Sequence, residues 1–415
     1  MIGCAFHQEL CFKTSEAQNY NIYLKKYHII FKLQNIISLR CSRCYRITFF
    51  AFAVFCALQS SLAFGNPTEV MTDTTGQKKK KANASSFVAL PVAFYTPETK
   101  LAFGAIAINM FRLDPTDTIT RTSNIRTAAI YTTRNQFIFS TDFNVFLKEE
   151  KYQLRGNLAF LKFPDNFYGI GNDTQLQDEE VFGNNILNFT GRLMRKVRPG
   201  LFVGGIYNFY NMFNMETGAD FILNTENIPG SNGVRLSGVG FQISYDKREN
   251  VLNASQGCYL EFSTRFFENF LGSNYRFQQY ELDLRKYHRL HPKHVIAAQF
   301  KGEIREGDVP FQQLSLLGGD KMLRGYYRGR YREKKLLAIQ AEYRYTVCER
   351  FGLVAFGGLG EVGDKFTDFQ IDEFKYSYGG GLRFTLNRKE RLNIRFDYGI
   401  GNGVSNFYIN LAEAF

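Results

Sequence analysis

The residues with the clearest chemical potential form a basic run in the last quarter of the chain. Seven Lys and Arg residues occur between Lys321 and Lys335, interleaved with glycine and tyrosine. Such a run suits a solvated surface loop, or a nucleic-acid patch in which tyrosines stack on bases. An arginine of the run that is enclosed by the fold requires a carboxylate partner, because an unpaired charge away from water is costly. Glu342 and Glu361, on the next two expected strands, are the candidate partners.

Other patterns do not predict catalysis or cofactor binding. The segment 358–363 has the G-x-G-x-x-G spacing, but no helical pattern follows it, as a dinucleotide site requires. His288, His291 and His294 are close in sequence, but a proline lies among them, and a turn is favoured over a metal site. No Gly-x-Ser-x-Gly nucleophile elbow occurs. We therefore expect no enzyme activity, no cofactor and no metal site.

The elements that position the basic run are strands with period-2 alternation. Leu187, Phe189 and Leu193 share one face of such a segment, while Asn188 and Thr190 share the other. Sixteen segments of this kind are predicted between turn signals. Their expected bounds are 86–95, 101–112, 123–132, 136–147, 152–163, 180–197, 201–215, 232–246, 256–267, 274–287, 294–304, 335–347, 351–362, 376–387, 391–400 and 406–415.

This pattern predicts an all-β fold, a 16-stranded antiparallel transmembrane β-barrel with an inward-folded loop. Aromatic residues make up 16% of the chain, which suits lipid-facing positions and interfacial girdles. No run of 18 or more apolar residues occurs in the strand region, so a bundle of transmembrane helices is excluded. In hydrocarbon, a sheet satisfies its backbone only by closing on itself.

The lengths of the connections agree with sixteen strands. The long connections are 164–179, 216–231, 305–334 and 363–375, and all four are odd-numbered, as surface loops must be when the first strand starts at the periplasmic side. Short turns such as 198–200 are even-numbered. The connection 113–122 is longer than a periplasmic turn normally is.

The residues before the barrel predict export. Arginines at 40, 43 and 46 precede an apolar run at 47–58 and the small residues 61–63, which is the order found in a signal peptide. We therefore expect an N-terminal extension plus signal peptide over 1–63, a periplasmic linker over 64–85 and an outer-membrane barrel over 86–415.

Charge and cysteine content fit this division. The first 63 residues carry seven basic and two acidic residues, so the remainder carries about +7 of the total +12. That mild excess does not favour a nucleic-acid partner. Five of the seven cysteines precede residue 64, and we expect Cys258 and Cys348 to be unpaired thiols.

Several motifs, in order, resemble the BamA/TamA barrel family, also called the bacterial surface antigen family. Gly318-Gly319 followed by Leu323-Arg324-Gly325-Tyr326 is similar to its sixth surface loop, and 341–344 is similar to the strand that follows. The other similar segments are Phe167–Asn172, Asp246–Gly257, Gly379–Phe384 and Phe407–Phe415.

The resemblance implies roles for particular residues. Arg324, Gly325, Tyr326 and Glu342 match a lumen lock, in which the arginine packs inside the barrel against acidic residues of the next two strands. The usual second acid is replaced by Gly358, so the lock is either single or completed by Glu361, whose parity points it to the other face.

Two further groups of residues follow from the resemblance. Asp246, Arg248, Asn250 and Gly257 match the family's turn motif, with Ala254 where proline is usual. The terminal strand, with Phe407, Ile409, Leu411 and Phe415, resembles the signal by which barrels are recognised for assembly.

The resemblance also sets expectations about function and partners. Family members that insert barrels or translocate chains carry soluble POTRA modules, but only about 20 residues separate the predicted signal from the first strand. We expect a barrel of the bacterial outer membrane that acts in protein assembly, insertion or translocation. Its expected partners are outer-membrane lipid, client barrels and POTRA-bearing or lipoprotein subunits. The alternative is a passive pore or structural subunit of an envelope complex.

Overall fold

Sixteen antiparallel strands, numbered here β1–β16, pair with their neighbours in chain order and close into a barrel, which confirms the predicted fold class. The computed structural model describes residues 85–114, 120–147 and 149–415; the predicted signal peptide and nearly all of the linker lie outside them. The strands are β1 Ser85–Thr96, β2 Lys100–Phe111, β3 Ser123–Thr132, β4 Phe137–Leu147, β5 Tyr152–Lys162, β6 Glu180–Arg198, β7 Leu201–Glu216, β8 Val234–Asp246, β9 Gly257–Phe267, β10 Phe277–His291, β11 His294–Gly307, β12 Lys335–Thr346, β13 Phe351–Gly363, β14 Lys375–Asn387, β15 Leu392–Gly401 and β16 Val404–Leu411.

Alternation of side chains explains why these segments close with apolar residues outside. In β5, Leu154 and Leu158 are about two-fifths exposed on the outer surface, while their sequence neighbours Gln153 and Ala159 are buried. The same alternation places large apolar side chains around the outside of most strands. An outer apolar band with a polar interior is the arrangement that hydrocarbon requires. Among the described residues, no helix has the length and hydropathy needed to cross a membrane.

The two ends of the barrel differ. One end, called the loop end, carries the long connections 163–179, 217–233, 268–276, 308–334 and 364–374 together with the short β1–β2 and β3–β4 turns. The other, called the turn end, carries connections that are mostly short. Short elements lie in the loops, including a four-residue helix at Ile222–Thr225 and the paired strands Ser315–Leu317 and Tyr331–Glu333. A cluster of buried apolar residues, with Phe167, Leu223 and Phe311 among its members, joins these loops to the strands beneath.

The predicted strand bounds agree with the structure within three residues except at two ends. β10 continues to His291, so His288 and His291 lie in a strand and only Pro292 and Lys293 form the turn. β16 ends at Leu411 rather than continuing to Phe415. The chain turns at Ala412, which has a positive φ of 65°, and then folds inward.

The contact between the first and last strands is much shorter than the other ladders. β1 pairs with β2 along its whole length, from Ser85 opposite Phe111 to Thr96 opposite Lys100. Its described pairing with β16 consists of Tyr95 opposite Ile409. The half of β1 that includes Pro91 is exposed. We call this β1–β16 contact the seam.

Hydrogen exchange gives a direct test of the short seam ladder. In an antiparallel strand, successive N–H groups point to opposite sides. We therefore expect about half of the β1 amides, those facing the seam, to exchange rapidly in the detergent-solubilised barrel, whereas β6 stays protected. Peptide-resolved deuterium uptake measures the difference. Equal protection of β1 and β6 would contradict a seam of this kind.

Candidate functional site: the lumen loop and its ion pairs

The loop 308–334 folds back into the lumen and forms the candidate site. Its two arms pair as short strands, with Ser315 opposite Glu333 and Leu317 opposite Tyr331. Apolar side chains of the loop pack against the barrel wall in one cluster; its members are Leu317, Met322, Leu323, Tyr326, Tyr331, Leu336, Ala338 and Val362. The loop is therefore fixed inside the barrel by packing as well as by charge.

Glycines allow the tip of this loop to lie directly on β15. Gly325 has a φ of 121°, a conformation that side chains with a Cβ rarely adopt. A Cβ on Gly399 would lie 2.4 Å from the Arg324 carbonyl oxygen, and one on Gly401 would lie 2.4 Å from the Tyr326 ring. The close approach requires glycine on both the loop and the strand.

Arg324 is fully buried between two carboxylates. Its Nη1 donates to Asp397 Oδ2 at 2.6 Å, and its Nη2 donates to Glu342 Oε1. The guanidinium carbon lies 3.5 Å from the centroid of the Phe356 ring. Charge-assisted hydrogen bonds of this kind are among the strongest in proteins. The arginine thus joins the loop to β12, β13 and β15.

The arginine belongs to a larger, charge-balanced network. Four arginines and four acidic residues alternate through seven ion pairs in the lumen. They are Arg324, Arg344, Arg383 and Arg395 with Asp320, Glu342, Asp397 and Glu413. Each buried charge therefore has an opposite charge in contact, which offsets its loss of hydration.

Of the two carboxylate partners that the sequence suggested for Arg324, the structure brings only one into contact with it. Glu342 contacts Arg324, as the resemblance implied. Glu361 does not complete the lock: it faces away from the lumen and accepts the backbone N–H of Gln370. The second carboxylate is Asp397 of β15, which sequence reasoning missed. The available sequence signal was the alternation over 393–399, which places Asp397 on the same inward-facing side of β15 as Arg395.

A second group of interior charges was also missed. Arg305 pairs with Glu303 at 2.6 Å and with Glu281 at 3.3 Å, and Arg265 pairs with Glu281 at 3.1 Å. These residues lie on β9, β10 and β11, on inward positions of adjacent strands. Opposite charges at equal parity on neighbouring strands were the available signal.

Gly325 and Tyr326 anchor the loop tip to the last strands. The Gly325 N–H donates to the Tyr408 hydroxyl at 2.9 Å, and Asn406 Nδ2 donates to the Gly325 carbonyl at 2.6 Å. The Tyr326 hydroxyl donates to the carbonyl of Tyr376 at 3.0 Å. The tip is thus bound to β16, one side of the seam, and to β14.

The same loop also contacts the other side of the seam. The Arg328 N–H donates to Glu98 Oε1, in the β1–β2 turn, at 2.8 Å. Burial raises the pKa of Glu98 above its ordinary value, although the hydrogen bond from Arg328 opposes the shift. The loop therefore bridges the seam from inside at the loop end.

The four residues of the family turn motif lie together at the turn end. Arg248 Nε and Nη2 donate to the two carboxylate oxygens of Asp246 at 2.9 and 2.7 Å. Asn250 Oδ1 accepts the N–H groups of Leu252 and Asn253. Gly257 has a φ of 103°, and a Cβ there would lie 2.2 Å from a carbonyl oxygen. The motif therefore shapes the connection 247–256 between β8 and β9.

Glu249 stabilises the same turn. Burial opposes its ionisation, but the hydroxyl of Ser255 and the N–H groups of Ser255 and Gln256 donate to its carboxylate. These hydrogen bonds lower the pKa of Glu249 to about 2.

The positions of the last residues differ from the prediction for the terminal strand. Phe407 and Leu411 face outward and are about two-fifths exposed, as the alternation requires. Phe415 instead lies inside the turn end, 7% exposed, where its carbonyl oxygen accepts a hydrogen bond from Arg344. Glu413 is not at the outer surface either, because it pairs with Arg383 at 2.7 Å. Pairing inside the lumen is more favourable for a carboxylate than facing lipid.

Substituting Arg324 tests what the buried pairs contribute. Arg324→Ala leaves Glu342 and Asp397 with fewer cations, and we expect it to lower barrel stability by about 3 kcal/mol. The measurement is the temperature at which the folded form is lost on unheated gels. Lys335→Ala is not a neutral control, because Lys335 is 6% exposed and pairs with Glu306 at 2.9 Å.

The matched control is Arg328→Ala, because that side chain is exposed and forms no ion pair among the described residues. We expect it to leave the transition unchanged. Equal transitions for the two variants would show that the buried pairs do not hold the loop.

Comparison with known proteins gives the family. The sequence profile of the Omp85 superfamily domain matches residues 206–415, just over half of the chain. A search with the sequence among curated proteins found no match.

Solved structures share the fold. BamA from Haemophilus ducreyi lacking POTRA domains 1–3 matches with a TM-score of 0.56 and 13% identity, over 80% of this chain and 70% of that one. CdiB from Acinetobacter baumannii matches with a TM-score of 0.52 and 12% identity, over 79% and 60%. CdiB from Escherichia coli matches with a TM-score of 0.53 and 7% identity, over 79% and 62%.

The present chain thus spans about three-fifths of the length of the CdiB chains. At these identities the likeness shows the barrel fold and not the activity. No POTRA domain lies within residues 85–415, where the described chain is barrel and connections. The profile match, the sixteen-stranded barrel and the lumen loop confirm the resemblance that the motifs predicted: the chain belongs to the Omp85 superfamily.

Proposed function

We propose that this barrel acts in the assembly, insertion or translocation of proteins at the bacterial outer membrane, together with partner proteins. Omp85 barrels are transporters and insertases of that membrane, which supports the coarse assignment. In an outer-membrane barrel of this kind, the turn end faces the periplasm and the loop end faces the cell exterior. POTRA-bearing or lipoprotein subunits then dock at the turn end.

The observation that carries the proposal is the seam. β1 has its ladder to β2, but on its other side the described pairing is Tyr95 with Ile409. An unpaired strand edge is a template for another strand, because its free N–H and C=O groups need partners. In hydrocarbon that need is stronger, since water is not there to satisfy them. A client strand that pairs with β1 would satisfy these N–H and C=O groups.

The loop 308–334 is placed where it can control opening of the seam. Through Glu98 it contacts the β1–β2 turn, and through Tyr408 and Asn406 it contacts β16. These contacts hold the loop end closed, while the half of β1 near the turn end is left without a partner strand. Opening then starts at the periplasmic side, where clients arrive.

The alternative of a passive pore is less consistent with the interior. The loop, the network of four arginines and four acidic residues, and the inward-folded residues 412–415 occupy the lumen. A wide aqueous channel would require all of these to move.

A cross-link across the seam tests the proposed opening. Residues directly opposite in an antiparallel pair have Cα atoms at a separation that a disulfide spans. We expect Tyr95→Cys with Ile409→Cys, in a background of Cys258→Ser and Cys348→Ser, to abolish function when oxidised and to recover it on reduction. The readout is the level of folded outer-membrane proteins in a strain depleted of the wild-type copy.

The control joins β1 to β2, away from the seam. Ala93→Cys with Phe103→Cys places a disulfide between facing outward residues of a complete ladder, and we expect full function in both redox states. If outer-membrane proteins reached normal levels in the depleted strain without any complementing copy, the assembly role would be wrong.

Planar-bilayer conductance separates the proposal from a passive pore. We expect small and mostly closed conductance for the wild type, because the lumen is filled, and a large increase after deletion of residues 318–332. A large, open conductance that the deletion leaves unchanged would favour the pore instead.

A further inference from the structure

We propose that a cavity at the loop end, beside the seam, binds the phosphorylated saccharide headgroup of a glycolipid or a free sugar phosphate. The inference rests on the outer-membrane placement given above, because it assigns the loop end to the side where phosphorylated glycolipids are exposed. The ion pairs of Arg324 do not take part in this site, although Tyr326 of the same loop lines it.

The cavity consists of two adjoining lobes. Their volumes are about 400 and 510 Å³, and both are lined by Leu176, Tyr326, Arg330 and Val404. Binding sites for small molecules are typically roughly 300–1,000 Å³. Each lobe is thus far larger than an inorganic phosphate ion needs, so the expected ligand carries an additional group.

Cations without acidic partners line both lobes. Lys100, Arg134, Arg330 and Lys375 lie at the cavity, and among the described residues none of the four forms an ion pair. By contrast, the buried arginines of the lumen network each contact a carboxylate. The cavity therefore has an excess of positive charge that the protein itself does not neutralise.

Arg330 is the most informative of these residues. It is 5% exposed, and among the described residues its Nη1 and Nη2 donate only to the hydroxyl and the carbonyl of Thr174, each at 2.6 Å. The rings of Tyr168 and Tyr331 flank the guanidinium, each at 4.8 Å. A buried cation held by neutral groups is costly unless an anion completes its shell. A phosphate is well matched to the guanidinium fork.

Other groups in the cavity favour a saccharide over a simple polyanion. Asn172 Oδ1, which lines the second lobe, is a buried acceptor without a hydrogen-bond partner in the described part of the chain. Asp173 and Glu179 also line the cavity and form no ion pairs among the described residues. Sugar hydroxyls donate to such acceptors, whereas a second phosphate would be repelled by the carboxylates. The tyrosines offer apolar faces on which a sugar ring packs.

The position of the cavity connects the ligand to the seam. Pro97 and Lys100 reach the first lobe from the β1–β2 side, and Val404 and Asn406 reach it from β16. A bound headgroup would therefore contact both sides of the seam at its outer end. Binding there strengthens closure at the loop end without touching the free half of β1.

Binding to the purified full-length chain tests the site. The probes are phosphatidylcholine vesicles that contain a monophosphorylated glucosamine-disaccharide lipid, the same vesicles with the dephosphorylated lipid, soluble glucosamine 1-phosphate and inorganic phosphate. We expect Arg330→Gln to weaken binding of the phosphorylated sugar by about tenfold or more. Lys375→Gln, which is less buried, should weaken it by roughly threefold.

The matched control is Arg198→Gln, which removes the same charge from an exposed position at the turn end. It should leave affinity unchanged. The gel shift of unheated samples establishes that each variant is folded. If Arg330→Gln fails to fold, Lys375→Gln decides the outcome.

The results separate the sources and the hypotheses. Binding of the vesicle lipid alone supports a membrane headgroup, and binding of glucosamine 1-phosphate as well supports a soluble sugar phosphate as a second source. Equal affinity for phosphorylated and dephosphorylated lipid, equal affinity of wild type and variants, or binding of inorganic phosphate as tight as that of the sugar would each overturn the site. The seam cross-link joins Tyr95 to Ile409, neither of which lines the cavity, so it tests the proposed function separately from the cavity variants.

Discussion

The structure depends on the buried guanidinium of Arg324, which two carboxylates from separate strands share inside the barrel. Neither Glu342 nor Asp397 is stable there alone, because each has lost its hydration. The arginine makes that burial favourable only if loop 308–334 is folded inward. Loop position and wall composition are therefore mutually dependent: the loop without these acids would return to water, and the acids without the loop would face an incomplete set of cations.

A second constraint acts on the outside. Hydrocarbon demands that the sheet close, yet the seam closes with little pairing. Contacts of the lumen loop compensate at the loop end, where its backbone and side chains reach both β16 and the β1–β2 turn. The barrel is thus held shut partly by an interior element rather than by its own ladder. Closure of the barrel and filling of its lumen are therefore coupled, so a change that displaces the loop also weakens the seam.

Sequence patterns predicted the strands well, because alternation and the parity of long connections are local signals that lipid enforces along every strand. Glu342 was found because it lies one strand beyond a recognisable loop. Asp397 was not, because its distance to Arg324 depends on how the barrel curves and on glycines 399 and 401, not on spacing along the chain. Phe415 was misplaced because alternation assumes a straight strand, whereas the chain changes direction at Ala412, which has a positive φ. The cavity around Arg330 was also unpredictable, since its walls come from five separate connections.

Pro91 lies in the exposed half of β1, opposite Ala105 of β2. Proline is accepted in a sheet where its nitrogen faces an unpaired side, since it has no N–H to contribute. Any chain laid along this edge must therefore leave a gap at that position, and two barrels cannot zip together over the full length of their first strands. Pro91 thus disfavours edge-to-edge aggregation of β1, while the residues on either side of it can still pair with a short strand.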